Sequence, residues 1–325
     1  MKVKAIAKSM RLIKPFGISR GTKTSAEVIQ TSITRDGVTG FGEAVPYFRY
    51  GETTDTSLAQ ISSLPAEFDR QDLLGLLPQG ASRNALDAAL WDLESKEAGV
   101  PVWELAGFQR PVPRAMSYTV SLRGIGEMTS DAKEHANIPL IKVKLGGPDD
   151  AKVVAEIRQV APNARLIVDV NEGWDISQFE KIIPVLVAAQ VELVEQPLPS
   201  NQDDQLAKLA CPIPLCADES YSPGSSIADL SDAYSFLNIK LDKSGGLTRS
   251  IQVLNQAIML DMGVMVGCMI SSSLSIAPAF LLAQRANYSD LDGFLSIAND
   301  HENPMRVQDG FLTSPEELWG YPASS

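Results

Sequence analysis

The chain has 325 residues, 44% apolar and 21% charged, the make-up of a folded, soluble globular protein. A net charge of −12 excludes a surface built for nucleic acid or an anionic membrane, since both need clustered Lys and Arg. The length suits two domains or one large barrel with additions, and no apolar run is long enough to span a bilayer.

Met1–Lys8 lacks the apolar core of a signal peptide. Residues 2–12 and 26–35 alternate like antiparallel strands, with Gly17–Lys23 as a polar loop between them. Asp36-Gly37 signals a hairpin, and Gly40–Ala44 continues the sheet. A loop rich in aromatics and turn residues follows, Pro46–Glu52. Ser82–Leu93 has helical spacing, with Ser82 as its N-cap, and Gly99 and Pro101 end it. Residues 1–112 thus read as an α+β domain, with Pro111-Val112-Pro113 as linker.

From about residue 115 strand and helix patterns alternate strictly. Strands are expected near 116–121, 139–145, 165–170, 191–195, 213–218, 236–241, 264–270 and 291–295, with helices such as 150–160, 177–189 and 247–260 between them. Eight such units over residues 113–295 predict a (β/α) barrel. A doubly wound sheet is the rival, but Gly124-Ile125-Gly126 lacks the third glycine and later acid of its fingerprint. Residues 296–325 lose the alternation, and Trp319 and Tyr321 are expected to pack back on the first domain.

Cys211, Cys216 and Cys268 form no CxxC or paired framework, which points to a reducing, cytoplasmic setting. The only histidines, His135 and His301, lie off the expected strands. That argues against a two-His zinc site and a Ser-His-Asp triad, and leaves Lys, Asp or Glu as any base.

In a barrel the residues closing the strands face the active site. Here they are Lys144, Asp169, Glu195, Asp218 and Lys240, spaced 22 to 26 residues apart, and Lys142 shares a strand face with Lys144. Helix capping explains one such acid easily; it explains three in succession between two lysines poorly. Three adjacent carboxylates repel unless a cation sits among them, and an all-oxygen set selects Mg²⁺, with Mn²⁺ as the alternative. Lysines flanking a metal suit removal of a proton α to a bound carboxylate and its return from the other side, as in a racemase or epimerase. Each lysine then needs a pKa below its ordinary value of about 10.4, for which the metal and Lys142 are the candidate causes. Lys243 reads as a solvated loop residue. Asp218 is preferred over Glu219 as ligand, with Glu219 as a partner for a lysine and Asn171 and Glu172 as supporting residues.

With Lys142-Val143-Lys144, the acids Asp169, Glu195 and Asp218, and Lys240, the chain resembles the enolase superfamily, in the branch of muconate cycloisomerases, o-succinylbenzoate synthases and dipeptide epimerases. The resemblance covers essentially the whole chain. It implies a modified TIM barrel of (β/α)7β type, with an N-terminal α+β capping domain completed by the C-terminal tail. Asp290-Leu291-Asp292 resembles the pair with which dipeptide epimerases, those acting on L-Ala-D/L-Glu among them, receive the substrate ammonium. Two carboxylates on alternate strand residues suit that task. The same resemblance implies substrate contacts for Thr119, Lys142, Cys268 and Ile270, and a glutamate-binding role for Arg20. It further implies a small dipeptide as partner and a part in cell-wall peptide recycling. The rivals are a cycloisomerase or o-succinylbenzoate synthase on the same barrel, which needs no ammonium receptor, and a ligand-binding homologue without catalysis.

Overall fold

The computed structural model describes residues 1–322. It opens with an antiparallel meander of β1 (Lys2–Ile18), β2 (Gly21–Arg35) and β3 (Val38–Ala44). β1 and β2 remain paired up to their turn, Phe16 opposite Lys23 and Ile18 opposite Gly21. The segment Gly17–Lys23 is therefore the tip of a two-stranded ribbon, and only Ser19 and Arg20 lie outside the strands. Main-chain pairing needs no particular side chain, so a ribbon that has left the core extends through polar residues.

The helices α1 (Thr54–Ser62), α2 (Arg70–Leu76), α3 (Ala81–Ala98) and α4 (Val102–Leu105) follow. α3 lies close on β3 because Gly40 and Gly42 carry no side chain: a Cβ at either would fall 2.1 Å from the carbonyl oxygen of Ala89 or Ala85. Ser82 is not the N-cap of α3. The helix starts at Ala81, whose amide donates to Glu52 Oε1 at 2.8 Å, and the Ser82 hydroxyl donates to Gln60 Oε1. A capping acceptor from a distant loop leaves no local signal in the sequence.

After the short β4 (Arg114–Ala115) come eight parallel strands whose spatial order is their chain order. They are β5 (Ser117–Val120), β6 (Leu140–Lys144), β7 (Arg165–Asp169), β8 (Val191–Glu195), β9 (Leu215–Ala217), β10 (Phe236–Lys240), β11 (Gly263–Gly267) and β12 (Tyr288–Asp290). Between them run α5 (Ile125–Glu134), α6 (Asp150–Val160), α7 (Ile176–Ala188), α8 (Asp203–Leu206), α9 (Ile227–Leu230), α10 (Leu241–Ser244), α11 (Leu247–Met259) and α12 (Ser273–Ala283). The last two barrel strands differ from expectation. β11 stops short at Gly267, and β12 lies wholly before the expected 291–295, ending at Asp290 because Asp292 turns the chain into a 3-10 turn at Gly293–Ser296. No β5–β12 main-chain ladder is formed among the described residues; the seam is closed by side chains, Ser117 Oγ donating to Asp290 Oδ1 at 2.6 Å and Thr119 N to Asp292 Oδ2 at 2.6 Å.

Alternation along the strands sets the layers. Ile141, Val143, Val168, Val194, Ile239 and Val266 belong to the large apolar core, while Leu140, Ile167, Leu193, Cys216, Met265 and Tyr288 form a separate apolar plug. The polar residues two positions further along β6, β7, β8 and β12 stand above that plug.

The hairpin β13 (Arg306–Gln308) and β14 (Phe311–Thr313) pairs with β4. Beyond it, the Trp319 indole donates to the Ala88 carbonyl and Gly320 N to Asp92 Oδ1, both on α3. The first domain is joined to the barrel largely by buried polar groups. Glu43 accepts from Ser272 N and Oγ, Asp87 from Thr248 N, and Asp242 Oδ1 from Val45 N and Asn84 Nδ2; Arg83 donates to Ser244 O. Among the described residues no helix is long and apolar enough to cross a membrane.

Candidate active site

Strand register builds the site. Lys144 stands beside Asp169, Asp169 beside Glu195, and Glu195 beside Cys216; one layer lower, Lys142 stands beside Thr119. Asp218 follows the last residue of β9, and Lys240 is the last residue of β10. Five strand ends thus bring two lysines and three acids into one polar cluster.

Lys142 and Lys144 have different surroundings. The Lys142 ammonium is only 2% exposed and lies 2.5 Å from Asp290, 2.7 Å from Glu195 and 3.0 Å from Asp169. Lys144, 9% exposed, reaches Asp169 Oδ2 at 2.5 Å and Asn171 Oδ1 at 3.1 Å. On the far side Lys240, 10% exposed, donates to Asp218 Oδ2 at 2.8 Å. Lys243 is not solvated: it is 2% exposed and binds Asp218 Oδ1 at 2.6 Å and the Asp218 carbonyl. The one-turn helix α10 begins where β10 ends, and its turn carries Lys243 back beneath Asp218.

The charges are mutually supporting. Burial works against ionisation throughout, yet Lys142 and Lys144 hold Asp169 below the usual carboxylate range, and Lys240 and Lys243 hold Asp218 well below it. In turn, the carboxylates outweigh burial at Lys142 and Lys240 and hold both ammoniums well above the ordinary lysine value. Glu195 is the least compensated of the three acids: burial and the neighbouring Asp169 outweigh Lys142 and push it up to about 7. Its Oε1 accepts from Asn238 Nδ2 at 2.7 Å, and its Oε2, although near the Lys142 ammonium, makes no hydrogen bond. A buried carboxylate oxygen without a hydrogen bond, on an acid set between Asp169 and Asp218, completes an all-carboxylate trio that fits a hard divalent cation.

Asp290 and Asp292 are not alternate residues of one strand, since β12 ends at Asp290. Asp290 is engaged on both oxygens by Ser117 and Lys142. Asp292 binds Thr119 N through Oδ2, and burial and the Asp290 charge push its pKa up to about 6. Cys268 lies just past β11, its thiol pushed up by burial, and Gly293 passes so close that a Cβ there would sit 3.0 Å from Sγ. Ile270 packs with Met10, Leu12, Val45 and Ile297, where the first domain meets the barrel.

The ribbon tip places Arg20 over this rim. Its guanidinium donates to Glu219 Oε1 at 2.7 Å, the Asn171 carbonyl at 2.9 Å and Tyr47 Oη at 3.1 Å, with Glu172 at 3.3 Å. Glu219 therefore pairs with an arginine and not directly with a lysine. Asn171, donating to Glu219 and accepting from Lys144, links the two.

Two supporting residues escaped the sequence reading. Asn238 is two positions before Lys240 on the same strand face, so the alternation that found Lys142 would have found it. Gln196 carried no such signal. It is buried at φ 38, its Oε1 accepts from Asp218 N and Ser220 N, and its Nε2 donates to Leu198 O, Ser220 Oγ and Tyr234 Oη. It ties the end of β8 to the chain carrying Asp218.

The mandelate racemase / muconate lactonizing enzyme N-terminal domain matches residues 1–107, and the enolase C-terminal domain-like family matches residues 127–320. The N-acetyl-D-glutamate racemase of a Pseudoalteromonas species is 38% identical over 86% of this chain and 91% of its own. The L-Ala-D/L-Glu epimerase of Escherichia coli K12 is 35% identical over 95% of this chain and 98% of its own. An enolase family member from Agrobacterium tumefaciens with homology to dipeptide epimerases, solved with sodium and L-Ala-L-Glu, superposes with a TM-score of 0.95 at 39% identity, covering 98% of this chain and 99% of its own. With relatives of this kind along its length, the chain is an isomerase. In both its domains it belongs to the mandelate racemase / muconate lactonizing enzyme family of the enolase superfamily.

Proposed function

We propose that the chain epimerises dipeptides of the L-Ala-D/L-Glu type at the α-carbon of the C-terminal residue. The observation that carries this reading is the position of the two exposed-end lysines. Lys144 on β6 and Lys240 on β10 are four strands apart in an eight-stranded barrel, hence on opposite sides, with the three acids on the arc between them. A carbon held between them loses its proton to one amine and regains one from the opposite ammonium, which inverts it. Lys144 and Lys240 exchange roles with the direction of reaction. Asp169, Glu195 and Asp218 would hold a divalent cation, Mg²⁺ or Mn²⁺, whose charge stabilises the substrate carboxylate as the α-proton leaves. Lys142, enclosed by three carboxylates, organises them from below, and Arg20 with Tyr47 and Glu219 covers the mouth. Dipeptides of this composition occur in cell-wall peptide, which suits a part in its recycling.

The similarity to an N-acetyl-D-glutamate racemase supports a second reading. L-Ala-Glu is itself an N-acylglutamate whose acyl group carries an ammonium, so the two substrates differ mainly in that charge. Asp292, with Oδ2 on Thr119 N, leaves Oδ1 for an ammonium, and the nearby Asp290 reinforces the negative field. A charged hydrogen bond is worth about 1.5–3 kcal/mol, roughly a ten- to hundredfold effect. The test compares kcat/KM for L-Ala-D-Glu and N-acetyl-D-glutamate with Mg²⁺ present. A preference for the dipeptide of roughly tenfold or more is expected; a preference for the N-acetyl compound rejects the dipeptide assignment.

A further inference from the structure

The third acid of the rim is placed differently from the other two. Asp169 and Glu195 stand opposite one another in the β7–β8 ladder, so main-chain pairing sets where their carboxylates lie. β9 is only three residues long and ends before Asp218. It pairs with β8 through Leu215 and Cys216, and with β10 through Cys216 and Ala217. Asp218 thus belongs to neither ladder, yet its carboxylate must meet the other two if all three share a cation.

Gln196 supplies what the ladder lacks. Its main-chain amide donates to the Cys216 carbonyl at 2.9 Å, as in a parallel strand pair. The next rung of such a ladder would run from Asp218 N to the Gln196 carbonyl. That rung is missing. At φ 38 the chain turns away, and the Gln196 carbonyl accepts from Glu172 N at 2.9 Å, on the β7 side. The Asp218 amide is taken by the Gln196 side chain instead. Its Oε1 accepts from Asp218 N at 2.9 Å and from Ser220 N at 3.0 Å. A carboxamide carries the same hydrogen-bonding groups as a peptide unit, and here it extends the sheet by one rung.

The carboxamide is itself held in place. Gln196 is fully buried, and its Nε2 lies 2.8–3.0 Å from Leu198 O, Ser220 Oγ and Tyr234 Oη. Both hydroxyls donate onward to Asp203 Oδ1. The two ends of the amide cannot exchange, because Nε2 would then face the N–H groups of Asp218 and Ser220. On the other side of Asp218, the Lys243 ammonium donates to its carbonyl. Both main-chain groups of Asp218 are therefore fixed by side chains, and Gln196 is the one that reaches it from the strand carrying Glu195.

We propose that Gln196 is a positioning residue that sets the aim of Asp218, and thereby the affinity of Asp169, Glu195 and Asp218 for a divalent cation. The assignment rests on the reading of those three acids as the cation site. The probe is Mn²⁺, titrated into the protein with the free ion followed by electron paramagnetic resonance and the thermal midpoint recorded alongside. Wild type that takes up no Mn²⁺, or an Asp169→Asn protein that binds it as wild type does, rejects the cation reading itself. Gln196→Met keeps the length of the side chain and removes the acceptor, and its Mn²⁺ affinity should fall about ten- to hundredfold. Gln196→Glu keeps an acceptor for both amides and gives up the donors. It should retain at least wild-type Mn²⁺ affinity although its midpoint falls, a split that a purely structural role would not produce. A Q196M protein with wild-type affinity overturns the assignment, as does a Q196E protein that loses as much affinity as Q196M. Should Q196M not fold, Q196E decides alone: retained affinity sustains the assignment, and a loss of about tenfold or more overturns it.

Discussion

Lys142 and Lys144 share a strand face, yet their contacts set them apart. Lys142 is enclosed by three carboxylates at 2% exposure, and Lys243 likewise lies at 2% exposure against Asp218. Lys144 and Lys240, at 9% and 10%, are the pair with open ends. Deleting one partner of a buried ion pair leaves the other charge uncompensated, a loss of about 3–5 kcal/mol. Lys142→Met and Lys243→Met are therefore expected to lower unfolding free energy in denaturant by that order, and Lys144→Ala by clearly less. Equal losses at Lys142 and Lys144 would contradict the division of labour. Period-two alternation made Lys142 and Lys144 legible in the sequence, and strand-end spacing did the same for Asp169, Glu195, Asp218 and Lys240. Lys243 was misread because its distance from the strand was taken as exposure, whereas a single helical turn brings it back. Gln196 acts through four side-chain hydrogen bonds to Asp218, Ser220 and Tyr234 in other segments, and no local pattern encodes those.

At the scale of elements, the legible ones are those whose hydrophobic period is decided by burial. β6, β7 and β8 lie within a residue or two of their expected bounds, and α6, α7 and α11 start and stop almost where expected. The failures occur where main-chain or long-range polar groups decide. The β1–β2 ribbon continues through Gly17–Lys23 by backbone pairing alone. α3 takes its cap from Glu52 and not from Ser82. β12 ends before Asp292, which leaves the strand to close the barrel against Thr119. That last departure matters for function. The two aspartates are set by a seam rather than by strand alternation, so one is fully engaged and the other retains a free oxygen.

For the whole molecule, the join between the domains is a set of buried carboxylates. Burial pushes Asp87 up to about 6 and Asp242 up to about 7. In the unfolded chain both ionise near the ordinary value of about 3.9. Between those limits the folded state binds more protons, so their contribution is fully present at low pH and is lost as pH rises through 6 to 7. Asp169, Asp218 and Asp290, all held low by lysines, act in the opposite sense: their contribution is present above the ordinary carboxylate value and is lost on acidification. Asp242→Asn keeps the accepting oxygen for Val45 N and Asn84 but cannot ionise. Its thermal midpoint relative to wild type should therefore rise between pH 5 and pH 8. A constant difference would show that Asp242 is not buried neutral at the lower pH. The two-domain order and the eight-unit barrel were readable from alternation and length. The polar join was not, because each of its bonds connects residues far apart in sequence.

The central claim is that Lys144 and Lys240 address one α-carbon from opposite sides, and α-proton exchange measures it most directly. Wild type, Lys144→Ala and Lys240→Ala are incubated in D₂O with Mg²⁺ and, separately, L-Ala-D-Glu and L-Ala-L-Glu, and deuterium at the Glu α-carbon is followed by NMR. Wild type should label both epimers. Each variant should lose interconversion while still exchanging the α-proton of one epimer, a different one for each lysine. Absence of α-deuterium with wild type, or the same epimer surviving in both variants, would contradict the account.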